Sequence, residues 1–216
     1  DIAYGDVDKI ADLLKKIAAR EGIGDILADG IVAAARQWKA EDLAIHVKGM
    51  EPAGYEPRVL KGMGLTFATS PRGACHLRTT FYKPELMGKI PPEQIEGKAE
   101  MLTDYEDRMN IFDTLILCRF YRDVYQWEDL QESIRLATGQ DFSTEALRAI
   151  AADIATMTRQ FNINEGWQAK DDLLPKRLHA EALPSGHSLT ADEMAYMLND
   201  YYQLRGWNSE GVPGKK

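Results

Sequence analysis

In almost every segment of this chain the apolar residues recur three and four positions apart, and almost nowhere do they alternate. Val7, Ile10, Ala11, Leu14, Ile17 and Ala18 set the pattern at the start. Such spacing lays side chains along one stripe of an α-helix, whereas a half-buried strand needs a period of two. The sequence therefore predicts an all-α, multihelical fold of six or seven helices joined by long irregular loops. Hydrophobic residues make up 44% and charged residues 28% of the chain, too apolar a balance for a disordered polymer. At 216 residues there is material for one sizeable core or two small ones.

The first helix is expected over Val7–Ala19, stopped before Gly22, and a second from about Asp25 to Trp38 with Gly30 as a tolerated weak point. Residues 45 to 64 hold two prolines and four glycines, a density that reads as a shaped loop. Its opening, "AIHVK", has the look of a short strand. The following "PRVLKGMGLTFATS" fits a helix opened by Pro57 or Arg58 and packed closely through Gly62 and Gly64. Beyond a turn at "SPRGACHLR", a helix is expected from Lys98 to about Phe112, and another from Trp127 to Ala137, stopped by Gly139. A long helix capped by Ser143 follows, then a turn at Pro175, then a last helix opened by the capping box Thr190 to Glu193. Two units are drawn, 1–97 with the glycine-rich loop and 98–216 with Cys118.

A net charge of −8 argues against a nucleic-acid binder, which needs a basic face to displace counterions from phosphates. The longest apolar runs fall far short of the roughly 20 residues of a membrane span, and no cleavable signal opens the chain, so a cytoplasmic location is expected. The chain starts in helical pattern without a methionine, as a piece of a longer polypeptide would. Its two cysteines, Cys75 and Cys118, form no CxxC pair, which fits neither a disulfide framework nor a zinc site.

The stretch "DTLILCRF" sets Asp113 five positions before Cys118. On a continuous helix the two would point about 140° apart, so either they serve different faces or the backbone leaves the helix between them. Cys118 reads as a small buried hydrophobe or as one ligand of an iron–sulfur cluster, which needs four. His76 reads as a structural residue or as a proton-transfer group. Arg72 and Arg78 could hold a phosphate or be solvated, and Asp113 could cap amides or accept from a polar ring. Phe67, Phe81, Tyr82 and Phe112 are compatible with an apolar substrate or with core.

Taken together, "HVKGMEPAGYEPRVLKGMGLTFATSPRGACHLR", "DTLILCRF", "FNINEGWQAKDDLLPKRL" and "MLNDYYQLRGWNSEGVP" resemble the C-terminal half of the tungsten-containing aldehyde ferredoxin oxidoreductase family, in order and over the whole chain. The resemblance implies helical domains that cover an N-terminal domain carrying a tungsten (or molybdenum) bis-pterin. It implies that Cys118 is the distant fourth ligand of a 4Fe-4S cluster, whose first three ligands sit in a CxxCxxxC run not found here. Asp113 would contact a pterin, Leu117 would add a backbone contact, His76 would act as an acid/base group near the metal, and Arg78 would lie on the cofactor side. Ile116 stands where the family often has glycine, and Cys75 matches no ligand and is expected to be packing.

The implied activity of the full-length protein is oxidation of an aldehyde to a carboxylic acid, with electrons passed to ferredoxin. The chain alone would be inactive. A homodimer is a further expectation, without a dimer iron, because no Glu-x-x-His run occurs. One alternative is a related aromatic acyl-thioester reductase; another, from a different class, is a cofactor-free helical interaction module. The module would satisfy its apolar stripes internally, whereas the cofactor reading expects an exposed apolar, glycine-rich face around residues 49–78 and 113–118.

Overall fold

The structure, a computed structural model, describes residues 2–214. Ten α-helices occur among them: α1 Val7–Ala19, α2 Ile23–Ala28, α3 Gly30–Trp38, α4 Lys61–Thr69, α5 Tyr82–Leu86, α6 Lys98–Thr114, α7 Trp127–Thr138, α8 Thr144–Asn164, α9 Lys176–Ala180 and α10 Ala191–Leu204. Extended backbone pairs, among the described residues, only at two isolated bridges, Val47 with Met50 and Trp207 with Pro213. The fold is all-α. The strand expected at residues 44–48 shrinks to the first bridge, which closes a two-residue turn with Lys48 and Gly49 both at positive φ.

The helix count exceeds six or seven because some helices are too short to carry a periodic stripe and one expected helix is broken. Gly30, at φ 85°, ends the run from residue 25 rather than being tolerated within it, so α2 and α3 are separate. Residues 57–60 form a turn and α4 begins at Lys61, later than Pro57 or Arg58. The capping residues behave as their chemistry requires: the Ser143 and Thr190 hydroxyls accept from the amides of Ala146 and Glu193, and Gly139 ends α7 in the left-handed conformation.

All nine residues of α4 are buried, and the helix packs against α5, α6 and α10. Its glycines make that approach feasible. A Cβ on Gly62 would sit 2.3 Å from the Phe81 ring, and one on Gly64 would sit 2.9 Å from Leu189. The core around α4 runs from Val47 to Leu102 and from Leu174 to Trp207, so it draws on both sides of position 97. A second core, including Met109, Phe112, Trp127, Leu130 and Leu147, joins the end of α6 to α7 and α8. Phe67, Phe81 and Phe112 lie wholly inside these cores, which removes them as substrate contacts. The apolar stripe of α1 is left open, since no residue of that helix is buried. Among the described residues no helix is long and apolar enough to cross a membrane.

The interior also holds charge. Asp172, fully buried, receives Lys48 Nζ at 2.8 Å, Arg159 Nη2 at 2.6 Å, Tyr202 Oη at 2.8 Å and Trp167 Nε1 at 3.1 Å. Glu85 accepts from Lys98 Nζ at 2.5 Å and from the Gly62 amide at 2.8 Å, tying α5 and α6 to the start of α4.

Candidate functional site

The end of α6 settles how Asp113 and Cys118 relate. Leu117 N–H donates to Phe112 O at 2.9 Å and Ile116 N–H to Asp113 O at 3.1 Å, the bond pair of a Schellman helix end. The residue that must be left-handed in this motif is Ile116, at φ 57°. Glycine normally takes that position, because a β-branched side chain there is strained. Leu117 turns back against the second core, and Ile116 is left 92% exposed. The helix thus stops between the two residues, and Cys118 follows in extended conformation as the cap of a short 3-10 turn over Arg119–Tyr121. Its side chain is exposed, which overturns the reading of Cys118 as a buried hydrophobe. Cys75, by contrast, is buried, with Arg72 Nη2 donating to its sulfur at 2.9 Å.

Asp113 is held by two arginines from different loops. Arg78 Nη1 donates to Oδ2 at 2.9 Å, and Arg119 donates through Nε to Oδ1 at 3.1 Å and through Nη2 to Oδ2. The bidentate fork of Arg119 fixes the plane of the carboxylate. Arg119 also donates to the Leu77 carbonyl, so it ties the turn after α6 to the segment carrying His76. Burial first, then the nearby charge of Arg119, pulls Arg78 below its ordinary value, and its Nε is buried without a partner. The Leu117 amide is committed to Phe112, so a backbone contact from Leu117 to a ligand can come only through its carbonyl.

His76 lies beside a stacked tyrosine pair. The Tyr55 and Tyr82 rings are 4.3 Å apart and nearly parallel, and the imidazole centroid is 5.6 Å from Tyr55 and 6.2 Å from Tyr82. Burial, followed by the positive charges of Arg72 and Arg122, lowers the His76 pKa from its ordinary 6.5. The ring is therefore neutral at pH 7, able to take a proton rather than give one. Arg122 donates to Tyr82 Oη at 3.2 Å and to Arg119 O at 2.8 Å. The structure thus gathers His76, Arg78, Asp113 and the turn to Cys118 around the Arg119 hub.

Sequence reasoning missed Tyr55, Arg119 and Arg122. The signal for Arg119 is its place directly after Cys118; nothing local marks the other two. In the chain segment on either side of Cys118, Ile116 is 92% and Phe120 88% exposed, and Leu115, Tyr121 and Val124 are also open. The glycine-rich half of the expected open face is corrected: exposed glycines lie at 49 and 54, but residues 60–70 are all buried. Among the described residues no three His, Cys, Asp or Glu side chains gather as a metal site. A single exposed thiolate can fill one position of a four-thiolate cluster and no more.

A family profile described as aldehyde ferredoxin oxidoreductase, domains 2 and 3, matches residues 1–216. The chain is 35% identical to the tungsten-containing aldehyde ferredoxin oxidoreductase of Pyrococcus furiosus over 99% of its own length and 36% of that protein's. It is 34% identical to the protein of the same name from Thermococcus kodakarensis, with the same coverage. It thus spans about a third of the length of these relatives. Among solved structures, the active-site complex BamBC of benzoyl coenzyme A reductase, solved with 1,5-dienoyl-CoA, superimposes with a TM-score of 0.76 at 22% identity. That match covers 99% of this chain and 38% of the other, a likeness of fold.

Proposed function

The chain belongs to the aldehyde ferredoxin oxidoreductase family, of which it comprises domains 2 and 3, and from that premise we propose that it is the helical half of an enzyme oxidising an aldehyde to a carboxylic acid. The full-length protein would hold a tungsten (or molybdenum) bis-pterin and a 4Fe-4S cluster, and would pass electrons to ferredoxin in the cytoplasm, as a monomer or a homodimer. The reading is supported above all by the turn that ends α6, which exposes the Cys118 thiol five residues after an oriented carboxylate, beside an uncovered apolar rim. In a self-contained helical module those apolar side chains would be inside.

When bound, the metal–pterin group and the cluster supply the redox chemistry: aldehyde and water become acid, two protons and two electrons. This chain's residues do the remainder. Asp113, its plane set by Arg78 and Arg119, accepts from ring N–H groups of a pterin. Cys118 gives one thiolate to the cluster. Leu117 offers a carbonyl beside it, and Arg78 a donor. His76, neutral at pH 7, accepts one of the released protons.

The test is to express the full-length protein anaerobically, with and without Cys118→Ser, and to measure iron and tungsten per chain together with the cluster's EPR spectrum. Loss of the cluster signal with tungsten retained is expected. A wild-type protein with neither metal would sink the proposal.

A further inference from the structure

Behind Arg78 the helical body encloses a cavity of about 40 Å³ between α4, α6, α8 and α10, whose walls include Thr69, Arg78, Glu106, Asn110, Thr158 and Tyr201. That is far below the roughly 300 Å³ at which pockets for organic ligands begin. One water needs only about 10–15 Å³, so about three fit. The walls can hold them. Arg78 Nε is buried without a partner among the described residues. The Thr69 and Thr158 hydroxyls each donate to a helix carbonyl at 2.9 Å, which leaves their oxygen lone pairs able to accept. Ser70, 1% exposed and set between the lining residues Thr69 and Pro71, also has its hydroxyl unpartnered among the described residues.

The cavity has two ends. At one, the Arg78 side chain joins it to the cofactor face, since Nη1 of the same guanidinium holds Asp113 at 2.9 Å. At the other, Lys48, Pro71, Asn162 and Trp167 line both the cavity and an outer recess of about 280 Å³ that reaches the exposed Glu165 and Gly166. Asn162 donates to the Pro71 carbonyl at 2.7 Å and Lys48 to Asp172 at 2.8 Å, so polar groups as well as packed carbon form the partition. The carboxylates on the walls are already matched, Asp172 by Lys48 and Arg159, and Glu106 by Arg205 and the Tyr201 hydroxyl. The cavity therefore calls for a small neutral ligand that both donates and accepts, which is water.

Oxidation of an aldehyde consumes one water and releases two protons: the carbonyl carbon gains the water oxygen and loses its hydrogen, and two electrons leave to the redox centres. Beneath a covering domain those protons need a route through protein to solvent. Resting on the proposed oxidase reading, we infer that the cavity behind Arg78 is a water site whose waters carry protons from the cofactor face to the recess at Glu165. This route lies behind α6, apart from the exposed thiol of Cys118 that serves the electrons. Water hands a proton along its hydrogen bonds without travelling itself, and the threonine oxygens and Arg78 Nε keep the waters in line. Arg78 stays charged throughout, so the relay runs beside its guanidinium and not through it.

The experiment uses the full-length protein as wild type and as two near-isosteric variants that strip polar groups from the α8 and α6 walls, Thr158→Val and Asn110→Leu. Crystal structures read the waters in the cavity; tungsten per chain, KM, and kcat for benzaldehyde in H2O and in D2O are read beside them. The wild type is expected to show about three waters, one of them on Arg78 Nε. Each variant is expected to lose at least one water and to lower kcat about tenfold, part of the roughly 10²–10⁴ that positioned proton transfer contributes. The ratio of kcat in H2O to that in D2O should rise, with KM and tungsten unchanged, which a merely structural defect would not produce. A cavity dry in the wild type overturns the inference, as do waters lost from the variants with kcat and the H2O/D2O ratio unchanged; both leave the oxidase reading intact. Waters kept in both variants, or tungsten lost from both, overturn it too, and if one variant alone loses tungsten the other decides. A wild type that oxidises no aldehyde sinks the oxidase reading, and the relay with it, even where the waters are in place.

Discussion

The interior around α4 and the face around His76 and Cys118 treat the same kinds of residue in opposite ways. Inside, the Asp172 carboxylate meets two cations and two further donors, and glycines stand where two elements need to touch. On the face, four arginines converge on one carboxylate or on neutral acceptors, a β-branched residue stands where the backbone calls for glycine, and Phe120 points at solvent. The difference teaches that this chain closes the first region, two buried oxygens, Glu85 Oε2 and Ser70 Oγ, excepted, and leaves the second open to something else. Measurements on the two should therefore respond differently to substitution.

The largest effect is expected from Asp172→Ala. It leaves Lys48 and Arg159 buried without their shared anion and should cost about 3–5 kcal/mol, read as a fall in the urea midpoint. The same carboxylate gives the interior a pH signature. Burial alone would raise its pKa, but the charges of Lys48 and Arg159 outweigh burial and hold it below the ordinary 3.8. A carboxyl lowered in the folded state contributes stability that is present above the unfolded value and is lost as pH falls through the folded one. Stability of the wild type should thus drop more steeply below pH 3.8 than that of Asp172→Ala, a contrast visible in urea titrations at descending pH.

Next in size is Gly62→Ala. The new methyl would meet Phe81 carbons at 2.3 and 2.4 Å, within a core that includes both Phe81 and the neighbours of α4. Overpacking of this kind costs about 1–3 kcal/mol. A neutral result would mean that α4 is not held as closely as described, and would weaken the claim that the interior is complete.

Much of the helical frame was legible in the sequence and little of the face was. The range of α1, the caps Ser143 and Thr190, the stop at Gly139 and the close packing of Gly62 and Gly64 all follow from local rules, because period, capping and steric space are written in neighbouring residues. The break at Gly30 was missed because glycine's conformational freedom decides against helix only when no tertiary contact opposes it. The Asp172 network was invisible for a different reason: Lys48 and Asp172 are remote in sequence, and neither is unusual where it stands. At the face, the pairing of Asp113 with Cys118 could be singled out from one octapeptide. The role of Arg119 as the link to Leu77, and the approach of Arg122 and Tyr55 to His76, depend on loops meeting in space. The open stripe of α1 shows the limit of periodicity itself, which says that a face is apolar without saying that this chain covers it.

The smallest effect separates the two regions by its sign. Ile116→Gly removes a left-handed β-branched residue, a relief of about 1–2 kcal/mol, and adds backbone freedom to the unfolded chain, a loss of about 0.5–1 kcal/mol. With the side chain 92% exposed, nothing else is forfeited, so these 216 residues alone should gain up to about 1.5 kcal/mol, read as a higher urea midpoint. In the full-length protein the upstream domain would cover this side chain, and burial of an isoleucine contributes about 1.5–3 kcal/mol. There the substitution should destabilise. A change of sign between the chain alone and its parent places Ile116 under the covering domain. Stabilisation in both would mean that the face stays open in the parent, and the contrast between a finished interior and an unfinished surface would fail at the residue where it is drawn most sharply.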